Sequence, residues 1–304
     1  MNLNINNETD TLVSVILGIA NQLGPKPNIE DCIDPKTRES IINNQYPEEI
    51  KCINQIEAFE KVLKKYNIKV LRPDIIRNLN QIFSRDIAFV IENKILVPEI
   101  IKERNDEKNG IFDIIDKIKK EDKIFLPKNI RIEGGDIILY NDYIFVGYTK
   151  EPAFSKFKVA RTNSNGYQFI KDTFPNKKVV GFELIKNDYD PYSNILHLDC
   201  AMQPIGKNQL ILYEKGLKNK KDIQFLYDLF KEKNIIKIDK NELFNLNTNI
   251  FSINRKTIVS NTSFISLNSK LEKLGYKIEK IKFDEISNFG GLFRCTTLPL
   301  ERIA

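Results

Sequence analysis

The chain has a single histidine, His197, and four cysteines, Cys32, Cys52, Cys200 and Cys295. His197 opens His197-Leu198-Asp199-Cys200. Imidazole is the side chain whose ordinary pKa lies nearest neutrality, so any imidazole proton transfer in this protein belongs to that stretch. Other polar residues stand out by position: Asp86 in Phe83-Ser84-Arg85-Asp86, Glu133 in Glu133-Gly134-Gly135-Asp136, Asn249, and Cys295 after Gly290-Gly291-Leu292-Phe293-Arg294. Such a set, brought together, suits a planar cation. Carboxylates clamp a guanidinium through charge-assisted N–H bonds, a thiolate attacks its central carbon, and histidine hands protons to the departing amine and takes them from the second nucleophile. The bound cation itself favours the thiolate. Gly134-Gly135 and Gly290-Gly291 permit tight turns and close approach of the chain to a ligand. Taken singly each piece has a plainer reading: a core or surface histidine, a turn, a surface ion pair at Arg85-Asp86, a small buried cysteine.

The elements that must carry these residues repeat. Ile87–Ile91 and Ile95–Val97 flank a polar break as a hairpin; a helix follows with Ile111, Ile114, Ile115 and Ile118 on one face, then the strand Lys123–Leu126. The same order returns with Ile137–Tyr140, Tyr143–Tyr148, a helix carrying Tyr167, Ile170 and Phe174, and Val179–Leu184. It returns with Cys200–Gln203, Leu210–Tyr213, a helix carrying Ile223, Leu226, Tyr227 and Phe230, and Ile235–Ile238. A fourth copy has Ile250–Ile253, Thr257–Val259, a helix carrying Phe264, Leu267, Leu271 and Leu274, and Tyr276–Ile281. The N-terminal region supplies a fifth from Leu12–Gly18, a helix with Ile56, Phe59, Leu63 and Tyr66, and Ile68–Leu71. Units of this size cannot each bury an apolar helix face alone, so they are expected to associate into one closed or propeller-like domain over residues 1–304. The proline-bearing insert 24–48 reads as a loop or lid. The candidate residues open the repeats, so units around a common axis would gather them at one end.

Composition narrows the class. With 304 residues, 41% hydrophobic and 29% charged, the chain can bury a large core. The N-terminus lacks a signal-peptide pattern and no apolar run reaches membrane-spanning length, so a cytoplasmic location is expected, with no membrane association. The cysteines are too scattered for a disulfide scaffold, and one histidine without a thiol cluster speaks against structural zinc; no metal or cofactor is expected. The net charge of +6 comes from lysines interspersed with acids, a pattern that does not point to nucleic acid. No feature fixes the oligomeric state, and a homo-oligomer stays open.

The motifs together resemble those of the guanidino-group-modifying enzymes, the pentein superfamily of arginine deiminases, dimethylarginine dimethylaminohydrolases and glycine amidinotransferases. Asn7-Glu8-Thr9-Asp10 with Leu12 and Val15–Gly18 is similar to the family's opening strand, and Phe83–Asp86, Glu133–Asp136, His197–Asp199 and Arg294-Cys295 match its ordered motifs. The resemblance covers nearly the whole chain and implies an α/β fold, the five-bladed α/β propeller of repeated ββαβ units. It implies that Cys295 is the nucleophile and forms a thiouronium-type intermediate, that His197 is general acid and base, and that Glu133 orients His197. It implies further that Asp86 and Asp199 hold the guanidinium of a small arginine-like substrate, with Asp136 among the substrate-binding residues, and that Arg161 binds the substrate's carboxylate, with Arg294 as a second candidate.

Two reactions share that intermediate: water gives a ureido product such as citrulline, and an amine gives a new guanidine. Arg294-Cys295-Thr296-Thr297 is more similar to the deiminases, because amidinotransferases usually carry histidine before the cysteine. Arg85-Asp86-Ile87 through Pro98 is at least as similar to the transferases. Hydrolysis is the preferred reading and amidino transfer the alternative. A cysteine peptidase or acyltransferase built on His197 and Cys295 would leave Asp86, Glu133 and Asp199 without a joint role; a propeller-like binding module is the non-enzymatic alternative.

Overall fold

The computed structural model describes residues 1–304. Its strands form five separate sheets of three strands each. They are β1 (Thr11–Leu17) with β2 (Lys69–Leu71); β3 (Phe89–Ile91), β4 (Lys94–Val97) and β5 (Lys123–Phe125); and β6 (Ile137–Tyr140), β7 (Tyr143–Tyr148) and β8 (Lys178–Glu183). Then come β9 (Met202–Ile205), β10 (Gln209–Leu212) and β11 (Ile235–Lys237), and β12 (Phe251–Asn254), β13 (Thr257–Asn261) and β14 (Lys277–Ile281). The last strand, β15 (Thr297–Ile303), runs back to complete the first sheet.

Every sheet obeys one plan. The central strand pairs antiparallel with the strand on one side and parallel with the strand on the other: β1 with β15 and β2, β4 with β3 and β5, β7 with β6 and β8, β10 with β9 and β11, β13 with β12 and β14. An antiparallel neighbour needs only a tight turn, whereas a parallel one needs a crossover. Helical segments make the crossovers, at 49–65, 102–116, 164–173, 220–230 and 265–273. The central strands carry the apolar runs, with Ile144–Val146, Leu210–Leu212 and Ile258–Val259 fully buried.

Several sequence expectations need correction. The first unit does not lack a hairpin partner: β15 supplies it from the other end of the chain, in register Val15 to Pro299 and Leu17 to Thr297. Pro299 is tolerated because β15 is an edge strand, flanked on its outer side only by the short bridge that Asn4 makes to Leu300 and Arg302. The run 87–91 is strand only from Phe89, because Ser84–Ile87 coils into a helical turn. The helix carrying Ile111 to Ile118 is mostly 3-10 over Lys102–Ile111, with a short α-turn at Phe112–Asp116. The insert 24–48 is not all loop. Pro35–Ile42 is a helix with proline in its first turn and Asp34 as N-cap, its carboxylate accepting the Thr37 N–H at 2.8 Å.

The longest helix, Glu49–Lys65, buries Cys52, Ile56, Phe59 and Leu63. Phe59 packs edge-on against Phe251, Phe283 and Phe293. Phe293 stands two residues before Cys295, so this aromatic cluster fixes the turn that carries the thiol. No helix is long and apolar enough to cross a membrane.

Candidate active site

Five residues occupy equivalent places, each just ahead of the antiparallel strand of its sheet: Asp86 before β3, Glu133 before β6, His197 before β9, Asn249 before β12 and Cys295 before β15. All are at least 97% buried. Short turns bring them in. Gly134–Asp136 and Leu198–Cys200 are 3-10 turns closed by Asp136 N–H to Glu133 O at 3.0 Å and Cys200 N–H to His197 O at 3.0 Å. A Cβ on Gly135 would stand 2.7 Å from Cγ of His197, so only glycine lets the imidazole lie on this backbone. Gly290, at φ +84°, and Gly291, whose Cβ would meet the Phe83 ring at 2.5 Å, shape the approach to Cys295.

His197 is held from several directions. Its Nε2 lies 2.8 Å from Oε2 of Glu133 and its Nδ1 lies 3.8 Å from Oδ1 of Asp86. The backbone around it is clamped as well: Lys186 donates its Nζ to the carbonyls of Ile195 and Leu196, both at 2.8 Å, and Asp136 accepts the Leu198 N–H at 2.9 Å. Burial alone would depress the imidazole pKa. Asp86, the Glu133 hydrogen bond and Asp136 outweigh it and carry His197 up to about 9. Burial opposes the charge on Glu133 too, yet Arg161 and the His197 hydrogen bond hold it well below the usual carboxylate range. At neutral pH the pair is imidazolium and carboxylate.

Cys295 is the reverse case. Burial, then the nearby carboxylates of Asp199 and Asp86, push its thiol well above the ordinary value. The resting group is a thiol, and a cation arriving beside it would change that balance.

A cavity of about 250 Å³ opens onto this cluster, lined by Asp86, Arg104, Glu107, Arg161, His197 and Cys295, with Pro25, Ile33 and Tyr46 of the insert and its flanks over it. Of the residues expected from sequence, Asp86, Arg161, His197 and Cys295 line the cavity, and Glu133 lies directly behind His197. Asp199 lies beneath the thiol, its Oδ2 3.7 Å from Sγ of Cys295 and 2.8 Å from Nη1 of Arg294. Two expected substrate contacts are corrected. Arg294 is fully buried away from the cavity, donating to Asp199, to Glu8 at 2.9 Å and to the Ile137 carbonyl at 2.6 Å; it has no arm left for a ligand. Asp136 is fully buried and holds the His197 turn instead.

Arg104 and Glu107 were missed. Arg104 reaches Asp86 at 2.7 Å, Glu107 through two bonds of 2.8 Å, and Glu133 at 3.6 Å. Both lie in Lys102–Ile111, a charged stretch that reads as solvated, and nothing in its pattern signals burial. Asn249 stands among the repeat openers in the sequence, and Glu8 only in the motif Asn7-Glu8-Thr9-Asp10 that is similar to the family's opening strand. The ligand atoms of Asp86, Glu133 and His197 lie within 4.8 Å of one another, as a metal site would need. Arg104 and Arg161 already pair with Asp86 and Glu133, so two of the three groups enter such a set with their charge compensated, which disfavours a divalent ion there.

Residues 28–302 match the family model described as N,N dimethylarginine dimethylhydrolase, eukaryotic. The chain belongs to this family. It is thereby a member of the guanidino-group-modifying pentein superfamily, and an enzyme of that chemistry. The dimethylhydrolase-family chain is also 29% identical over 252 residues to the uncharacterized protein YkgA of Bacillus subtilis (strain 168), covering 82% of this chain and 80% of that one. Its fold matches the N-terminal domain of ArgZ, an arginine dihydrolase from the ornithine-ammonia cycle in Cyanobacteria, with TM-score 0.78 and 17% identity over 95% of this chain and 98% of the other. It matches equally SxtG, an amidinotransferase from Microseira wollei in the saxitoxin biosynthetic pathway, with TM-score 0.76 and 17% identity over 99% and 98% of the two chains. Inosamine-phosphate amidinotransferase StrB1 from Streptomyces griseus gives TM-score 0.77 at 13% identity over 99% and 97%. One fold therefore serves hydrolysis and transfer alike, and the fold does not choose between them.

Proposed function

We propose that this enzyme hydrolyses the guanidino group of arginine or an N-methylated arginine, releasing an amine and leaving a ureido product such as citrulline. The observation that carries the reading is the Glu133–His197 pair at 2.8 Å, in a cavity wall shared with Asp86 and Cys295. The substrate guanidinium lies against Asp86 and near Asp199, and its charge draws the thiol proton of Cys295 off to solvent, since His197 is already protonated. The thiolate bonds to the guanidinium carbon. The C–N bond then breaks, and the departing amine takes the proton of His197. Water next adds to the thiouronium carbon and gives a proton to the now neutral imidazole; the C–S bond breaks and the thiolate returns. A family model of hydrolases and arginine, not histidine, before Cys295 favour water over an amine as second nucleophile.

Arg161 meets the carboxylate of the substrate in this reading. Its Nη1 is committed to Glu133 and its Nη2 to the Ile33 carbonyl at 2.7 Å, while its buried Nε–H has no partner. The five sheets are taken as blades around one axis within a single catalytic domain, supported by the meeting of successive strand openers in one cluster. The test is product mass after incubation with L-arginine and with N-methylated arginines, each with and without glycine. Citrulline is expected in both conditions. Ornithine with a guanidino-amino acid would move the assignment to amidino transfer, and no consumption with no adduct on Cys295 would overturn the covalent reading.

A further inference from the structure

Four of the five strand openers carry the proposed chemistry, and the fifth, Asn249 ahead of β12, has been given none. Asn249 is fully buried. Its Oδ1 accepts three backbone N–H groups of the nucleophile turn, from Leu292 at 3.2 Å and from Arg294 and Cys295 at 3.1 Å each. Those donors fix which way the amide faces: the oxygen must meet them, so the NH2 points the other way. There its Nδ2 lies 3.0 Å from Sγ of Cys295.

We propose that Asn249 is a further catalytic residue, its amide N–H donating to Sγ and stabilising the Cys295 thiolate through the reaction cycle. A neutral thiol is a weak acceptor and a thiolate a strong one, so this bond is worth more after the proton leaves than before. That differential favours ionisation, against the burial and the carboxylates that oppose it. When the thiolate shares its electron pair with the guanidinium carbon, the bond to Asn249 weakens. When the C–S bond breaks and the pair returns to sulfur, it strengthens again. Asn249 neither gains nor loses a proton. Lower thiol pKa costs some intrinsic nucleophilicity, by about half a decade per unit, but gains a full decade in thiolate while the thiol pKa lies above the working pH. The gain wins in this site because Cys295 is pushed upward.

The proposal rests on Cys295 as nucleophile, and its test reads the thiol without needing turnover. In Asn249→Asp an oxygen still faces the three N–H groups, but the donor toward Sγ becomes an acceptor with negative charge. Iodoacetamide alkylation is followed across pH on the peptide containing Cys295. The midpoint should rise by about one unit or more, with kcat down about tenfold and the folded near-UV spectrum retained. Asn249→Ala, which removes donor and acceptor together, should raise the midpoint by less and lower Tm; either variant, if folded, is sufficient. A midpoint equal to wild type in a folded variant would overturn the proposal and leave Asn249 as a brace of the turn. Failure of the guanidino assignment would show instead as absent product with the alkylation shift intact.

Discussion

Two clusters of buried charge lie within one chain and look alike in composition, yet one opens to ligand and the other does not. Beneath the nucleophile, Arg294 stands between Glu8 and Asp199 with exposures of 0%, 5% and 0%. Facing the cavity, Arg104 stands between Asp86 and Glu107, and Arg161 beside Glu133. The difference is in what remains unspent. Arg294 joins the N-terminal segment, the Ile137 carbonyl and the Asp199 turn, so its donors tie together three strand starts that are far apart in sequence. The cavity cluster keeps a free Arg161 Nε–H, a protonated imidazole and a wall open to solvent. Saturated charge holds a fold; charge with a vacant donor beside a cavity recognises something.

The largest effect separates chemistry from both clusters. Cys295→Ala should lower turnover by about 10⁴-fold or more, with Tm and binding of a guanidino ligand retained, measured by steady-state rates and calorimetry. His197→Ala should lower it by about 10²–10⁴-fold. Residual wild-type turnover in the cysteine variant would remove the covalent step.

Next is Arg294→Met, which leaves Glu8 and Asp199 buried without the guanidinium that pairs with both. Breaking a buried pair in this way costs about 3–5 kcal/mol. The denaturant midpoint should fall accordingly, taking activity with it. A stable Arg294→Met protein with altered KM would invert the comparison and return Arg294 to the ligand.

Arg104→Met should behave differently. Water in the cavity can solvate Asp86 and Glu107 once the guanidinium is gone, so the loss of stability should be smaller than for Arg294. The misplaced Asp86 should raise KM by about tenfold, on the scale of a charge-assisted hydrogen bond. Equal stability losses in the two variants would show that cavity water does not make the distinction.

How much of this the sequence disclosed follows from the range of the interactions. Alternation and helical spacing are local, so four of the five units could be read directly. The fifth needed β15, whose pairing with β1 spans nearly the whole chain and whose Pro299 argues against a strand until its edge position is known. Cys295, His197, Glu133 and Asp86 could be found because they open repeats. Arg104 could not, since Lys102–Ile111 has the composition of a solvated loop and Arg104 is buried only through partners such as Asp86 and the Phe83 carbonyl, about twenty residues away in sequence. The misreading of Arg294 has the same origin: an arginine beside a nucleophile looks like a ligand contact until Glu8, 286 residues away, is found on it.

The smallest effect is a pH signature that distinguishes the clusters within one folded protein. His197 rises from 6.5 to about 9 on folding, so its contribution to stability is complete below about 6.5 and is lost as pH climbs through about 9. Glu8 works in the opposite sense. Burial opposes its charge, but Arg294 and Arg85 pull it from 4.5 down to about 2, so its contribution is complete above 4.5 and is lost as pH falls through about 2. Tm measured across pH for wild type, His197→Asn and Glu8→Gln should therefore yield two difference curves. The His197 difference should shrink on the alkaline side, between about 6.5 and 9, and the Glu8 difference only on the acid side. Other buried bases titrate in the alkaline range, Lys186 at about 8 among them, but they are common to wild type and variant and cancel in the difference. A His197 difference that stayed flat to pH 10 would mean a neutral imidazole at rest. The leaving amine would then have to find its proton elsewhere, and the cavity cluster would lose the vacant function that sets it apart from the one around Arg294.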